Sequence, residues 1–235
     1  MEYIQAWDFF DKIYCISVNE RSDRRKTARR EFAKVGLLKR VEFVKVAKHP
    51  LNAEQGIYES HILCMKKALA AGAETILLFE DDIIFHHFSA ADLRQGCAAL
   101  QSFPDWNVVF LGCMVNKIRK TSCEALVQIR YQCLTHGYGL TSDFARHLVQ
   151  IPWQGTPYDG LLKNESSHFF AIHPMPAFQS NSPTDNKTLH LDKIRRALGG
   201  LQRLQLLNEW FHLHKKTIIM AHAAGVILAG MAFFL

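Results

Sequence analysis

The feature that most constrains this chain is a short apolar run, Thr75 to Phe79 (TILLF), that passes without a break into three carboxylates, Glu80, Asp81 and Asp82. A continuous apolar run of this length predicts a strand buried on both faces, inside a sheet covered by helices. Charges cannot follow such a strand into the core, so the triplet marks its carboxyl end. In α/β sheets that end is where ligands gather. Adjacent carboxylates repel one another unless a cation or hydrogen bonds offset the repulsion, and a hard divalent ion would do so. Oxygen-only ligation suits Mg²⁺ or Mn²⁺, which take one or two protein carboxylates and complete their shell with phosphate and water. The same three residues also suit a solvated acidic turn.

The flanking pattern agrees with an α/β domain. KIYCISV (Lys12 to Val18) predicts a first strand, and SDRRKTARREFAKVG a helix that Ser22 caps and Gly36 ends. Further strands are expected at Val41 to Val46, Asn107 to Leu111 and HFFAIHP, with an extended stretch at Leu126 to Leu140. Helices are expected from Ser60 to the stop at Gly72, near Ser89 to Phe103, and from about Ser142. Strands interleaved with helices of this length predict a single domain with a central, mostly parallel sheet flanked by helices.

The formal net charge of +6 is local in origin. Arg21 to Arg40 holds nine Lys/Arg against two Asp/Glu, and Asn186 to Lys216 seven against two, so the remainder is acidic. Patches of this kind suit phosphate or anionic lipid better than a nucleic-acid wrapper, and no aromatic stacking motif accompanies the Arg21 to Arg40 helix. No nucleic-acid partner is expected. The six cysteines show no C-x-x-C pair, which is consistent with thiols in a reducing compartment, and the N-terminus shows no secretory signal pattern.

The chain divides into a catalytic domain over 1–185, a basic amphipathic helical segment over 186–216 that Gly199-Gly200 splits in two, and an apolar tail over 217–235. The tail, TIIMAHAAGVILAGMAFFL, follows Lys215 and Lys216. It is a candidate anchor on the cytoplasmic side of a membrane, a helix lying in the interface, or a buried terminal helix.

Several blocks in order, IYCISVNERSDRR, GIYESHILCMKKAL, ILLFEDDI, WNVVFLG, THGYGLTSDFARHLV, Tyr158-Asp159 and PMPAFQSNSPTD, resemble glycosyltransferase family 25, the lipooligosaccharide galactosyltransferase type. The resemblance spans roughly Phe10 to Asp185. It departs at Ser17-Val18-Asn19, where the family's opening strand usually ends in Asn-Leu, and at Ile57-Tyr58-Glu59, where a Gly-Cys pair often stands.

The resemblance implies a GT-A-like fold, a nucleotide-sugar donor (usually UDP-galactose) and inversion at the anomeric carbon; the basic helices and apolar tail add the expectation of a lipid-linked saccharide acceptor at an anionic, bacterial inner-membrane surface. Glu80 and Asp82 are then the metal ligands, with Asp81 beside the donor. Arg21 and Arg24 are expected on the diphosphate, for which a guanidinium fork is suited. Ser60 and His61 are expected to begin a helix facing the donor phosphates. Gln179 and Ser182 border the donor or acceptor. Asp159, in a loop, is the expected proton acceptor, with His136 in reserve. A non-catalytic membrane adaptor that retains the fold is the alternative.

Overall fold

The structure is a computed structural model that describes residues 5–180 and 199–233, with side chains of the last helix described to residue 224. Ser182 and the 186–198 part of the basic segment lie outside the described residues.

Six strands form one sheet in the order β2 (Val41–Val46), β1 (Lys12–Val18), β3 (Thr75–Glu80), β6 (Leu126–Thr141), β5 (Val108–Lys120), β7 (Phe169–Ile172). β1 pairs in parallel with β2 and β3, and β5 with β7, while β6 is antiparallel to β3, β5 and β7. The sheet is therefore mostly parallel, with β6 alone reversed. A separate two-stranded ribbon joins β4 (Ile83–Phe85) to β8 (Ala177–Gln179).

Alternation along β3 explains the three layers. Ile76 and Leu78 enter one core cluster, Leu77 and Phe79 the other, and all four are wholly buried. The first cluster is closed by α2 (Ala53–Ala70), α4 (Ser142–Leu148) and α5 (Tyr158–Asn164), through Tyr58, Ile62, Met65, Phe144 and Leu162. The second is closed by α1 (Ser22–Lys34) and α3 (Ala90–Leu100), through Phe32, Leu93 and Cys97. Period-2 side chains facing two helical layers are what a two-sided buried strand requires.

Several boundaries differ from expectation. α1 begins at Ser22, so Arg21 is the cap position and no side chain caps it. α2 begins at Ala53, because the Asn52 side chain accepts from the N–H groups of Glu54 and Gln55. Ser60 and His61 therefore lie two turns inside that helix. Asp159 sits in the first turn of α5 and not in a loop. The strand expected to end at Leu111 continues to Lys120 and pairs with β6 as one long hairpin. Its register slips between Gly112 opposite Gly137 and Met114 opposite Cys133, so residues 134–136 of β6 bulge out opposite Cys113.

The last helix, α6 (Gly200–Phe233), starts at the Gly199-Gly200 pair, where both residues have positive φ, and runs unbroken. It packs along β5 and β8. Among the described residues no helix is long and apolar enough to cross a membrane.

β8 passes directly over β5 at Gly112. A Cβ there would lie 1.9 Å from the Ala177 carbonyl oxygen and 2.6 Å from His136 Nε2. Both neighbours are tied down, so Gly112→Ala should cost about 2 kcal/mol or more of unfolding free energy in a urea titration, as overpacking against backbone does.

Candidate active site

The carboxyl ends of β1, β2 and β3 open onto one pocket. Ile16 and Val18 come from β1, Val46 and Ala47 from the end of β2, and Glu80, Asp81 and Asp82 from the end of β3. The opposite wall is one face of α2, built from Ala53, Gly56, Ile57, Ser60 and His61 at the three- and four-residue spacing of a helix surface. Lys48 and His49, Arg24 of α1 and Gln179 of β8 complete it.

Each carboxylate has a different environment. Asp81 accepts a 2.6 Å hydrogen bond from the Ser17 hydroxyl, which in turn accepts from Arg25 at 3.1 Å. Burial still raises its carboxyl above the usual range, against the pull of Ser17 and Arg24. Asp82 accepts from Gln179 Nε2 at 2.8 Å through Oδ2, while its backbone carbonyl accepts from the Ser180 N–H at 2.7 Å. Arg24 bridges the two, with Nη1 3.5 Å from an oxygen of each. The second oxygen of Asp82, Oδ1, is buried and has no hydrogen-bond partner among the described residues. Burial, then the charge of Glu80, push the Asp82 carboxyl up to about 7.

Glu80 is turned toward the sheet interior. Its Oε1 accepts from the Thr135 hydroxyl at 2.7 Å and lies 3.6 Å from His61 Nε2. Burial alone would raise this carboxyl, but His61 and Thr135 outweigh it and the net shift is downward. Behind His61, Nδ1 meets the Tyr138 hydroxyl at 2.9 Å, and Tyr138 meets the Tyr158 hydroxyl at 2.7 Å. The imidazole is stacked on the Tyr158 ring, 4.2 Å between centroids. His61 is therefore fixed from three sides, and Glu80 is held in its charged form.

The β6 bulge organises the remaining groups. Leu134 adopts a positive φ of 79°, and its N–H donates to Asp159 Oδ2 at 3.3 Å. Thr135 turns to Glu80, and His136 Nε2 donates to the Ala177 carbonyl at 3.1 Å. Three consecutive residues thus serve three different parts of the site. Asp159 also accepts from the Tyr131 hydroxyl at 3.0 Å, and burial followed by the charge of Glu80 raises its carboxyl. His136 is wholly buried, and burial lowers the pKa of its ring.

Of the residues singled out in the sequence, the structure brings Arg24, Ser60, His61, Glu80, Asp81, Asp82 and Gln179 to the pocket lining. Ser60 is spent locally, since its hydroxyl donates to the Gly56 carbonyl at 2.5 Å. Arg21 is outside the lining and forks onto Asp23, at 3.1 and 3.0 Å. Asp159 and His136 are also outside it, linked to it through the β6 bulge. Sequence reasoning missed Ser17, Thr135, Tyr131 and Tyr138. Ser17 had a legible signal, a hydroxyl near the end of an apolar strand that pairs Ile16 with Glu80.

The carboxylate oxygens of Glu80, Asp81 and Asp82 at the pocket suit a hard cation. Among the described residues no cluster of three or more His, Cys, Asp and Glu gathers as a complete metal cage. An ion that takes one or two protein carboxylates and draws its other ligands from substrate and water needs no such cage.

The raised Asp82 carboxyl gives a testable pH dependence. Its folded pKa of about 7 lies above its unfolded value, so the folded state holds the proton more tightly. That contribution is complete below about pH 4, is lost as pH rises through about 7, and is absent above. In metal-free buffer at pH 8, Asp82→Asn should therefore be more stable than wild type by roughly 1 kcal/mol or more in a urea titration, and the gap should close toward pH 4. Mn²⁺ should raise the melting temperature of wild type at pH 8 and leave Asp82→Asn unmoved.

The sequence matches no protein-family profile and no curated protein. Among solved structures the chain is similar to A197 from STIV, at 9% identity and a TM-score of 0.47, over 72% of this chain and 85% of that one. It is also similar to a mannose-1-phosphate geranyltransferase from Thermus thermophilus, at 11% identity and a TM-score of 0.41, over 68% and 73%. A third is a glycosyltransferase involved in the glycosylation of the major capsid of PBCV-1, at 12% identity and a TM-score of 0.40, over 69% and 82%. Likenesses of this size assign neither family nor substrate, so the functional reading rests on the site itself.

Proposed function

We propose that the pocket binds a nucleoside-diphosphate sugar together with Mg²⁺ or Mn²⁺, and that the chain transfers the sugar to an acceptor hydroxyl. The observation that carries this reading is Asp82 Oδ1, a buried carboxylate oxygen with no hydrogen-bond partner among the described residues, beside Asp81 at the mouth of three parallel strands. Leaving such an oxygen unmatched is costly, and a cation is the partner that removes the cost and the repulsion from Glu80 together. Bound there, a divalent ion supplies charge stabilisation for a departing diphosphate.

The chain's own groups take the other roles. Asp82 is the ligand with an open oxygen. Glu80, occupied by Thr135 and near His61, sets the local field and stands as the reserve ligand. Arg24 sits where it balances both aspartates and meets the diphosphate. The apolar lining residues Ile16, Val18, Val46 and Ile57 would seat the nucleobase. Transfer breaks the bond from the anomeric carbon to the diphosphate oxygen and forms one to the acceptor oxygen, whose proton needs a base. Asp159 is the proposed base. Burial raises its carboxyl above the usual carboxylate range, which makes it a stronger proton acceptor.

The finer reading is a hexosyltransferase that moves galactose from UDP-galactose, with inversion, onto a lipid-linked saccharide at the cytoplasmic face of a membrane. Galactose and inversion are supported by the block-by-block resemblance described above, and the lipid-linked acceptor by the basic helices and apolar tail of the sequence.

Titration calorimetry with UDP should show binding that requires Mn²⁺ in wild type and is lost in Asp82→Ala. Metal-independent or absent UDP binding by wild type would overturn the donor reading and favour a non-catalytic adaptor. With a transferring system in hand, Asp159→Asn should keep UDP affinity and lose roughly 10²- to 10⁴-fold in kcat. Unchanged turnover would remove Asp159 from the base role.

A further inference from the structure

α6 has two faces of opposite character. Its inner face is fastened to the domain by polar groups. Asn208 pairs with both backbone groups of Val115, accepting at 2.8 Å and donating at 3.0 Å. Gln205 Nε2 donates to the Ala177 carbonyl at 2.9 Å. Glu209 accepts from the Met175 N–H at 3.1 Å and from His173 at 2.7 Å. These contacts fix the rotation of the helix about its own axis.

That fixed rotation turns outward a stripe that has no place on an ordinary solvated face. Leu206, Leu207, Trp210 and Phe211 recur at helical spacing and are all exposed, Trp210 by 55% and Leu207 by 54%. Ile219 and Met220, about three turns beyond Asn208 and Glu209 and so on their side of the helix, are also exposed, at 56% and 71%. Arg203 stands one turn before Leu206 and Leu207 on the same face, while Lys215 and Lys216 lie two turns beyond Asn208 and Glu209 on the flank of the stripe; all three are exposed. The one acidic residue of α6 is Glu209, which is buried on the inner face. The hairpin against which α6 packs adds exposed Lys117, Arg119 and Arg130, with Lys117 directly opposite Arg130 in the ladder.

We infer that this outer face of α6 docks on an anionic phospholipid surface, lying in the interface plane. Three observations select this occupant. The exposed charge of the helix is wholly positive, which suits an anionic surface and would set like against like in a pairing of two copies. Trp and Phe beside Lys and Arg is the composition that seats a helix at the boundary of headgroup and acyl chain. And the hydrogen bonds of Gln205, Asn208 and Glu209 hold α6 side-on against the domain, so the apolar stripe can meet a surface only along its length. The inference goes beyond the donor reading and does not depend on it.

The test is co-sedimentation of the full chain with vesicles of phosphatidylcholine, with and without phosphatidylglycerol. Wild type should partition to the anionic vesicles and release as salt is raised. Trp210→Glu with Phe211→Glu should weaken partitioning by about tenfold or more without lowering the melting temperature, because both side chains are exposed. Arg203→Glu with Lys215→Glu should weaken the preference for the anionic lipid. Wild type that stays in solution with both vesicles overturns the inference, as does equal partitioning of wild type and both variants. A concentration-dependent dimer that the Trp210/Phe211 pair of substitutions dissolves, with no vesicle binding, also overturns it and assigns the face to a second copy. Vesicle binding without Mn²⁺-dependent UDP binding would leave the docking standing and remove the donor reading.

Discussion

The arrangement depends on one close crossing, where the Ala177 carbonyl of β8 lies over Gly112 of β5 and accepts from both His136 and Gln205. A buried carbonyl with two donors is well satisfied, and the missing side chain at residue 112 lets it come so near. Three parts of the molecule meet there: the sheet through β5, the bulge through His136, and α6 through Gln205. Two residues beyond Ala177, Gln179 reaches Asp82. The grip on the acidic triplet is therefore set by backbone packing some distance from the carboxylates.

Within the triplet, position decides chemistry more than residue type does. Glu80 still belongs to β3, and its side chain meets hydroxyl and imidazole groups that favour the charged form. Asp82, beyond the strand, meets one amide, one distant guanidinium and a like charge, and is pushed the other way. Neighbouring carboxylates with divergent proton affinities are a mark of sites where charge is handled. Asp159 has a third environment, between a tyrosine hydroxyl and one strained backbone N–H.

Much of this was legible in the sequence where a local rule decides. The apolar run at Thr75, the β-branched strands at Lys12 and Val41, and the carboxylates at a strand end follow from hydrophobic period and the cost of burying charge. Less was legible where partners are distant in sequence. Asn52 caps a helix whose first turns, AEQGIYE, are too polar to read as a buried face, so the apolar pattern alone starts that helix at Ser60. The β5–β6 hairpin has no short turn to announce it, and its bulge emerges only in the pairing register. Histidine suits proton transfer, and by residue type alone His136 reads as a spare base. Its environment instead makes it a backbone clasp, a fact that resides in Ala177, forty-one positions away.

Because β6 is the one reversed strand, it reaches the carboxyl edge of the sheet from the far side, and residues 134–136 arrive beside groups that β1, β2 and β3 present from their ends. The strand–helix units thus line the pocket, and the single long hairpin supports it from behind through Thr135 and Glu80. A hairpin keeps its length only as long as its ladder holds register, and side chains alternate with every residue. Loss or gain of one residue between Cys133 and Gly137 would permute which donor meets Asp159, which meets Glu80 and which meets Ala177, and would leave the strand–helix half untouched. Insertions and deletions in those few positions are thus a route by which one scaffold changes the groups around Asp159 and Glu80 while keeping its strand–helix half.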